Sequence, residues 1–518
     1  MNNQYDELPD PKKAFLNTDS PRGLLALNAI IAAIYFYVLV FHFTPGNPIL
    51  FTLLVIGQIF NLWQVFTFIY TVWDTSYEAP RNPAYHAAVD VFITVAGEPT
   101  ALVRETVRAA VAMRHPAKRV YILNDGYVTK KENWRDMEAL AALEGVQCIT
   151  RTVPGGAKAG NINNALRLTS SPLVVIFDAD HVPHPDFLEK TVPYFADPKV
   201  GFVQTPQFYK NFAQNYLTQG AWEQQELFFG PICKGKNRLN STIMCGTNMV
   251  LRREALFAVG GMCTESITED FVTGMFMHEK GYKSVYHGEV LAEGLAPEDF
   301  LSYTRQQFRW ARGCLDAIFR YNPIFRSGLT FAQRIQYLSS ASFFLSGSIV
   351  LMHSILPIIF LYTGAVPVII SGMLLTAVFL PYIFLTLYAI QRSSNFTFTF
   401  PSLALAMGAF TIQLKALYGA LLRQKTSFTV TPKEAVTGNF VRLASVHIIY
   451  IAVAVFGVLV AFAREGLSAS LVNNLAWVIF SVAIFIPFIR ASLPPKKAAA
   501  LSVPEKERAE KQAYERHF

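Results

Sequence analysis

Apolar residues gather toward the two ends of the 518-residue chain, while charged residues crowd its middle. Two long apolar runs precede the polar middle and four more follow it. Each is close to the roughly 20 residues that a helix needs to cross a bilayer. The pattern predicts a soluble domain inserted between about six membrane helices. The predicted boundaries are a cytoplasmic tail at 1–22, two membrane helices within 23–73, a soluble domain at 74–325, a membrane region with about four helices at 326–495, and a charged cytoplasmic tail at 496–518.

One apolar segment of the second half, residues 402–422, is interrupted by Gln413 and Lys415. Arg423 and Lys425 follow it directly. If this segment crossed the membrane, the basic residues after it would lie outside, against the preference of Lys and Arg for cytoplasmic loops. We therefore predict an amphipathic helix that lies in the membrane interface.

The polar middle alternates short apolar runs with helical patterns. Buried-strand patterns occur at 89–95, 119–123 and 173–177, and a helical pattern spans 100–114. This alternation predicts an α/β fold with a mostly parallel sheet, whose ligands bind at the carboxyl edge. Neither a G-x-G-x-x-G nor a Walker A run occurs in the sequence, which excludes the usual dinucleotide and P-loop sites.

Composition and charge narrow the classes of partner. Only 16% of the residues are charged, below the roughly 25% of soluble proteins. The net charge of +8 fits basic residues that flank membrane helices on the cytoplasmic side. No basic block with interleaved aromatic residues is present, so we expect no nucleic acid partner. The five cysteines form no C-x-x-C pair, so the sequence lacks the ligand spacing of a zinc site.

Two acidic clusters in the middle region are candidates for chemistry. Asp178 and Asp180 follow a predicted strand, with His181 next to them. Carboxylates so placed suit a hard divalent cation on a diphosphate, although a solvated turn would show the same residues. Asp270 ends a T-E-D run and would suit a general base that takes a proton from a hydroxyl. The alternative for Asp270 is an acidic first turn of a helix.

Three further segments carry weaker signals. Lys158 lies in a glycine-containing turn and could reach a phosphate, and residues 245–248 form a polar C-G-T-N turn between apolar runs. Residues 306–310 have the sequence Q-x-x-R-W where the soluble region meets the membrane region. Taken singly, these segments fit a surface lysine, a plain hairpin and a basic, aromatic interfacial helix.

In their order along the chain, these motifs resemble the processive family 2 membrane glycosyltransferases, and most closely the bacterial cellulose synthase catalytic subunits. Each motif is weak alone, but the ordered set between membrane runs is specific. The resemblance covers about residues 85–440 and implies a GT-A-like domain. The matching motifs are N-D-G at 124–126, A-K-A-G-N at 157–161, D-A-D-H at 178–181, Q-T-P at 204–206, C-G-T-N at 245–248, T-E-D at 268–270 and Q-x-x-R-W at 306–310.

The resemblance implies a role for each matching residue. Asp270 would be the catalytic base, and Trp310 would stack on the acceptor sugar. Asp180, with His181, would hold the Mg²⁺ or Mn²⁺ ion that bridges the nucleotide diphosphate. The implied nucleotide-sugar contacts are Glu98, Asp125, Lys158, Asp178, Gln306 and Arg309. The implied acceptor contacts are Cys245, Gly246, Thr247 and Asn248. A gating loop at 426–437, resembling F-x-V-T-x-K, would cover the nucleotide through Phe428, Val430, Thr431 and Lys433.

Two departures from the family pattern bear on the nucleotide site. The segment Ala96-Gly97-Glu98 lacks the aromatic ring that often follows the first strand and can pack on the base. Asn124 stands where relatives have the first of two aspartates. Both departures predict altered contacts to the nucleotide at the ends of the first two strands.

The implied activity is inverting, processive transfer of glucose from UDP-glucose to a growing, cellulose-like β-1,4-glucan, which crosses the membrane through the enzyme's own channel. A β-1,3 or mixed-linkage product and a non-processive enzyme with a lipid acceptor are the alternatives. A transporter or receptor with a binding module would need no base such as Asp270. The implied partners are UDP-glucose, the nascent β-glucan, the lipid bilayer, and accessory or periplasmic export subunits. The implied location is the inner membrane, multi-pass, with the catalytic domain in the cytoplasm.

Overall fold

The structure, a computed structural model, describes residues 11–15, 18–370, 372–424 and 438–494. Long helices lie on either side of an α/β domain along the chain. The elements before the domain are α1 (Pro11–Ala14), α2 (Arg22–Phe41), β1 (Thr44–Pro45) and α3 (Pro48–Val72).

Strands and helices alternate in the α/β domain, as its sequence pattern predicts. Its strands are β2 (Val89–Val95), β3 (Lys118–Asn124), β4 (Gln147–Thr150), β5 (Leu173–Asp178), β6 (Val182–Pro183), β7 (Val200–Gln204), β8 (Phe208–Tyr209), β9 (Met249–Arg252), β10 (Lys283–Tyr286) and β11 (Ala292–Gly294). Its α-helices are α4 (Thr100–Ala112), α5 (Asp136–Leu143), α6 (Ala157–Leu168), α7 (Phe187–Thr191), α8 (Tyr216–Leu227), α9 (Cys233–Arg238), α10 (Arg253–Ala258), α11 (Glu269–Glu279) and α12 (Phe300–Tyr321).

Seven strands form one sheet in the order β10-β7-β9-β5-β2-β3-β4. Strand β9 is antiparallel to its neighbours β5 and β7, and the other adjacent pairs are parallel. The prediction of a mostly parallel sheet is therefore confirmed. The three strands expected from the sequence lie side by side in this sheet, in the order β5-β2-β3.

The central strand β2 is buried on both faces, which explains its nearly continuous apolar sequence. Val91 and Ile93 pack in one core cluster with residues of α4, and Phe92 packs in another with residues of α6. The buried Asp90 accepts a hydrogen bond from Arg253 at 2.8 Å. Asp90 lies near the amino end of β2, far along the strand from the carboxyl edge, so its role is structural.

A second sheet consists of three very short strands in the order β6-β11-β8. Strand β11 is antiparallel to β6 and parallel to β8. Strand β6 begins two residues after Asp180, and β8 follows the Q-T-P motif. The small sheet is thus built from the segments that leave the carboxyl edge of the large one.

After the domain the chain becomes helical again. The elements are α13 (Phe331–Ser342), α14 (Ser346–Thr363), β12 (Val368–Ile369), α15 (Gly372–Ser393), α16 (Phe400–Gly408), α17 (Phe410–Leu421), α18 (Ser445–Glu465) and α19 (Ala469–Ser492). Among the described residues, seven helical segments are long and apolar enough to cross a membrane, by length and composition. They include the six predicted segments and Phe400–Leu421, which is divided into α16 and α17 at Ala409.

Contacts between helix ends show which ends share a side of the bundle. Strand β1, after α2, pairs with β12, after α14. Arg464, near the end of α18, donates a hydrogen bond of 3.0 Å to the Leu361 carbonyl near the end of α14. The carboxyl ends of α2, α14 and α18 therefore lie on one side.

The opposite side holds the end of α15 and the start of α18. Arg392 in the last turn of α15 pairs with Asp19, which precedes α2, at 2.7 Å. The segment 400–421 between α15 and α18 therefore begins and ends on the same side. This connectivity supports the prediction of an interfacial helix at 402–422, which stays a prediction. Helix α17 packs against α12, the helix that contains the Q-x-x-R-W residues.

Candidate active site

Polar side chains meet at the carboxyl edge of the large sheet. Asp178 ends β5, and Asp125 follows β3 directly. Both strands are parallel neighbours of β2. The structure therefore brings both predicted nucleotide contacts to the edge where ligands bind in such folds.

Asp125 is held by an arginine that the sequence analysis missed. Arg151 donates two hydrogen bonds to the Asp125 carboxylate, Nε to Oδ1 at 2.8 Å and Nη2 to Oδ2 at 2.6 Å. Both side chains are buried. Burial raises the pKa of Asp125, and the hydrogen bonds from Arg151 oppose that rise. A basic residue placed directly after β4, the strand beside β3, was the available signal.

Asn124 has a structural role that needs both a donor and an acceptor on its side chain, which an ionised aspartate does not have. Its amide nitrogen donates to the Trp134 carbonyl at 2.7 Å, and its amide oxygen accepts from the Gly126 N–H at 2.9 Å. The side chain thus shapes the turn that presents Asp125. An Asp at this position would lack the donor to Trp134.

Glu98 lies in the turn after β2. Its Oε2 accepts a hydrogen bond of 2.6 Å from the Ala96 N–H, and Gly97 between them has φ +107°. The Asp125 N–H donates to the Val95 carbonyl at 2.8 Å, so this turn adjoins the Asp125 turn. Glu98 therefore lies near the predicted nucleotide site, and the role of Glu98 as a nucleotide contact stays a prediction.

Lys158 connects two of the predicted motifs. It lies in the first turn of α6, after Gly156 with φ +67°. Its ammonium group pairs with the Asp178 carboxylate and donates to the Gly246 carbonyl at 2.8 Å. Burial would lower the pKa of Lys158, but the charge of Asp178 and other carboxylates raises it above its ordinary value. Lys158 is therefore a half-buried cation that joins the predicted nucleotide contact Asp178 to the predicted acceptor turn at 245–248.

The 245–248 turn is fixed by the Q-T-P segment. Gln204 Oε1 accepts from the Cys245 N–H at 2.9 Å, and Gln204 Nε2 donates to the Thr247 carbonyl at 2.8 Å. The Thr247 hydroxyl accepts from the Asp178 N–H at 2.9 Å. Asn248 adopts φ +55°, a left-handed conformation that Asn tolerates better than most residues. The turn is thus a built part of the site and not a plain hairpin.

Asp270 lies against this turn. A Cβ atom on Gly246 would lie 2.8 Å from Asp270 Oδ2, and Gly246 has φ +81°. Asp270 Oδ1 accepts a hydrogen bond of 2.8 Å from the Phe271 N–H in the first turn of α11. The predicted acceptor turn and the predicted base are therefore in direct contact, with room only for glycine between them.

The electrostatics at Asp270 suit a base. Burial raises the pKa of Asp270, while the Phe271 N–H and the charge of Lys158 lower it. Burial and the charge of Asp270 raise the pKa of the adjacent Glu269 to about 7. A carboxylate whose pKa is raised toward neutral pH is a stronger proton acceptor than one in water.

Helix α12 brings the Q-x-x-R-W residues to the same site. The charge of Arg309 acts on Asp270, and Gln306 forms a hydrogen bond with the Tyr209 side chain. A Cβ on Gly313 would lie 2.3 Å from Thr268 Cγ2, so α12 approaches the T-E-D segment closely. Trp310 is half-buried on α12, one residue beyond Arg309.

Asp180 and His181 are the candidate metal ligands. Asp180 Oδ2 accepts a hydrogen bond of 3.3 Å from the Leu295 N–H, and Asp180 Oδ1 lies 3.4 Å from His181 Nδ1. Both ring nitrogens of His181 are buried without a hydrogen-bond partner among the described residues. No group of three or more metal-ligating side chains occurs in that part of the chain. The two side chains fit an ion that takes its other ligands from a diphosphate and water.

The structure thus brings residues of α12 together with predicted residues from five other segments of the domain, at 125, 158, 178–181, 245–248 and 270. The four predicted gating-loop residues lie outside the described residues: Phe428, Val430, Thr431 and Lys433.

Two family models match this chain. "Glycosyltransferase like family 2" matches residues 86–313, which contain every site residue from Glu98 to Arg309, and "Cellulose synthase" matches residues 258–394. The chain belongs to glycosyltransferase family 2. Its α/β domain has the GT-A-like fold of that family, with a mixed sheet and long apolar helices on both sides.

Curated relatives agree with this family assignment. A putative cellulose synthase 2 of Komagataeibacter xylinus is 34% identical over 79% of this chain. The UDP-forming cellulose synthase catalytic subunits of Pseudomonas fluorescens and K. xylinus are 34% and 31% identical over 62% and 76% of the chain. The matches cover 28%, 44% and 54% of these relatives, so the chain spans only part of their length.

Among solved structures, the chain is similar to a mannosyltransferase from Pyrobaculum calidifontis, solved in complex with GDP-Man and Mn²⁺. The identity is 17%, the TM-score is 0.48, and the match covers 78% of this chain and 100% of the other.

Proposed function

We propose that this glycosyltransferase transfers glucose from UDP-glucose to a growing β-glucan, processively and with inversion. The observation that carries the proposal is the contact between Asp270 and Gly246 beside the Lys158–Asp178 pair. This contact places the proposed base Asp270 next to the proposed acceptor turn, and Lys158 is the proposed cation for the diphosphate in the same site. The names of the relatives, UDP-forming cellulose synthase catalytic subunits, support the choice of UDP-glucose as the donor and of a β-glucan as the polymer.

The reaction assigns one task to each group. Asp270 takes the proton of the acceptor hydroxyl, whose oxygen forms a bond to the anomeric carbon of the sugar. The bond between that carbon and the diphosphate oxygen breaks, and UDP leaves with the electron pair. Arg309 and Lys158 stabilise the negative charge that develops on the leaving diphosphate. A single displacement with one base inverts the anomeric centre, so no covalent sugar–enzyme bond forms.

Asp180 and His181 are the residues that would hold a divalent ion at the diphosphate. Such an ion, Mg²⁺ or Mn²⁺, would neutralise charge on the leaving UDP. Among the residues that the structure describes, the buried ring nitrogens of His181 have no hydrogen-bond partner, which supports a ligand at this position beside the Asp180 carboxylate. Asp125 and Asp178 would orient the nucleotide from the strand ends.

Processive export draws support from polar side chains between the membrane helices. Trp63 Nε1 donates to Ser342 Oγ at 3.0 Å, and Gln58 Nε2 lies 3.3 Å from His353 Nε2. Ser346 Oγ donates to Gln413 Oε1 at 3.1 Å. Polar residues are costly within a bilayer and face protein or a hydrated path. These pairs lie on α3, α13, α14 and α17, and α17 packs on α12, which carries Trp310.

The proposed site lies in the cytoplasm, where nucleotide sugars are made. Arg392 lies at the end of α15, Arg442 lies just before α18, and Arg490 lies in the last turn of α19. The Phe440 N–H donates to the Ser492 carbonyl, so the end of α19 lies on the same side as the start of α18. An excess of Arg and Lys marks the cytoplasmic side of membrane proteins. The domain follows α3, whose carboxyl end lies on this side.

A labelling experiment tests the proposal. Membranes that contain the protein are incubated with labelled UDP-glucose and Mn²⁺, and the product is separated into a filter-retained polymer and a lipid extract. We expect polymer that an endo-β-1,4-glucanase degrades. Degradation only by a β-1,3-glucanase would refute the β-1,4 linkage and assign a β-1,3 linkage instead. Label only in the lipid extract would refute processive synthesis.

A further inference from the structure

Lys12 and Phe15, which precede the first membrane helix, pack against the α/β domain. Phe15 has no exposed surface, and its ring packs against Phe208 of β8 with centroids 5.8 Å apart. The surrounding cluster also contains Tyr209, Trp222 and Phe229. A phenylalanine from a polar tail thus completes an apolar core of the domain.

A second contact holds the same segment to β11. Lys12 Nζ lies 2.5 Å from Glu293 Oε1, which also lies 2.8 Å from His184 Nε2. The hydrogen bond from His184, with the smaller effect of Lys12, lowers the pKa of Glu293 to about 2. Glu293 is therefore an anion at neutral pH, and Lys12 supplies part of its counter-charge.

The two contacts are made with β8 and β11, the two strands that pack against the predicted metal and diphosphate residues. On β11, a Cβ on Gly294 would lie 2.5 Å from His181 Nε2, so the strand backbone supports that ring. The next residue, Leu295, donates its N–H to Asp180. On β8, Tyr209 contacts Gln306 of the Q-x-x-R-W motif. Strands β8 and β11 are hydrogen-bonded to each other.

The segment is also tied to the membrane helices. Asp19 pairs with Arg392 at the end of α15, and the Ser20 hydroxyl donates to the Val72 carbonyl at the end of α3. Lys12 and Phe15 therefore contact the small sheet, and Asp19 and Ser20 contact helix ends.

We propose that residues 12–15 are a brace that positions Asp180, His181 and Gln306 for the donor diphosphate. The proposal rests on the function proposed above. Lys12 and Phe15 act through β11 and β8, and touch neither substrate nor metal. Residues that orient metal ligands in this way typically change metal affinity or activity by about 10- to 100-fold when they are removed.

The test compares Phe15→Ala and Lys12→Ala with Lys13→Ala, whose side chain is exposed on the same segment. Binding of UDP with Mn²⁺ is measured by calorimetry on the full-length protein in detergent. We expect both brace variants to weaken binding by about tenfold, with KM for UDP-glucose raised more than kcat is lowered. Lys13→Ala should behave like the parent, and Lys12→Arg should restore binding. Unchanged affinity in both brace variants would overturn the proposal, as would an equal loss in Lys13→Ala.

Hydrogen exchange separates the brace from the proposed function. Phe15→Ala should speed amide exchange at residues 180–184, 208–209 and 292–295, because the small sheet loses its support. This readout needs no substrate. If Phe15→Ala exchanges faster but the parent protein binds no UDP, the proposed function is refuted and the contact of Phe15 with the small sheet is supported. Unchanged exchange in Phe15→Ala would refute the brace itself.

Discussion

Replacing Gly246 by alanine tests the contact between the acceptor turn and the base. The new Cβ would lie 2.8 Å from Asp270 Oδ2, several tenths of an ångström inside an ordinary contact, so the carboxylate must move. Alanine at φ +81° also carries a left-handed strain of about 1–2 kcal/mol. Since a displacement of about 1 Å can cost about 100-fold in rate, we expect kcat to fall by about 10- to 100-fold.

Gly260→Ala is the matched control. Gly260 has φ +85°, but a Cβ there would meet nothing within 4 Å. Both variants carry the same backbone strain, and only Gly246→Ala displaces Asp270. The assay follows UDP release and UDP affinity in parallel with thermal unfolding. We expect the two variants to have similar melting temperatures and to retain UDP affinity, with turnover lost in Gly246→Ala alone. Equal turnover in the two variants would refute the contact.

Three further perturbations test other parts of the site. Arg151→Met leaves the Asp125 carboxylate buried without its counter-ion, so we expect the free energy of unfolding to fall by about 3 kcal/mol and UDP affinity to fall as well. The control Arg108→Met, at an exposed arginine, should change neither quantity. Equal effects of the two substitutions would contradict the role of the Arg151–Asp125 pair. Burial raises the pKa of Glu269 from 4.5 to about 7, so its ionisation in the folded state costs stability progressively as pH rises through this window. Glu269→Gln should therefore be more stable than the parent above pH 7 and similar below about pH 4.5 in thermal unfolding, and a pH-independent difference would contradict burial. Chelation by EDTA should abolish transfer, and Mn²⁺ or Mg²⁺ should restore it; transfer that persists without a divalent ion would exclude the metal role of Asp180 and His181.

The large sheet was predictable because its central strands are long apolar runs. Strands β2, β3 and β5 begin and end within one residue of their predicted bounds, and helix α4 ends at Ala112 instead of 114. Strand β9 could not be assigned a direction, since its four residues carry no signal of orientation. Strands β6, β8 and β11 have two or three residues each, too few for any period.

The site was predictable where a motif follows a strand. Asp125 and Asp178 lie together, as expected from their positions at strand ends, whereas the 245–248 turn precedes β9 and is joined to Asp178 by a hydrogen bond from the Asp178 N–H to the Thr247 hydroxyl. Arg151 was missed because a lone arginine after a short strand resembles a surface residue. Phe15 was missed for a related reason: the prediction of a cytoplasmic tail at 1–22 rested on local polarity, whereas the burial of Phe15 depends on a cluster far along the chain.

We propose that Asp270 accepts the proton of the acceptor hydroxyl while other residues hold the nucleotide. Asp270→Asn keeps the size of the side chain and removes the proton-accepting charge. The direct measurement is UDP affinity and glucose transfer on the same preparation of this variant. We expect UDP affinity close to that of the parent, with transfer abolished. Transfer that persists, or UDP affinity lost together with transfer, would contradict the role of Asp270 as the base.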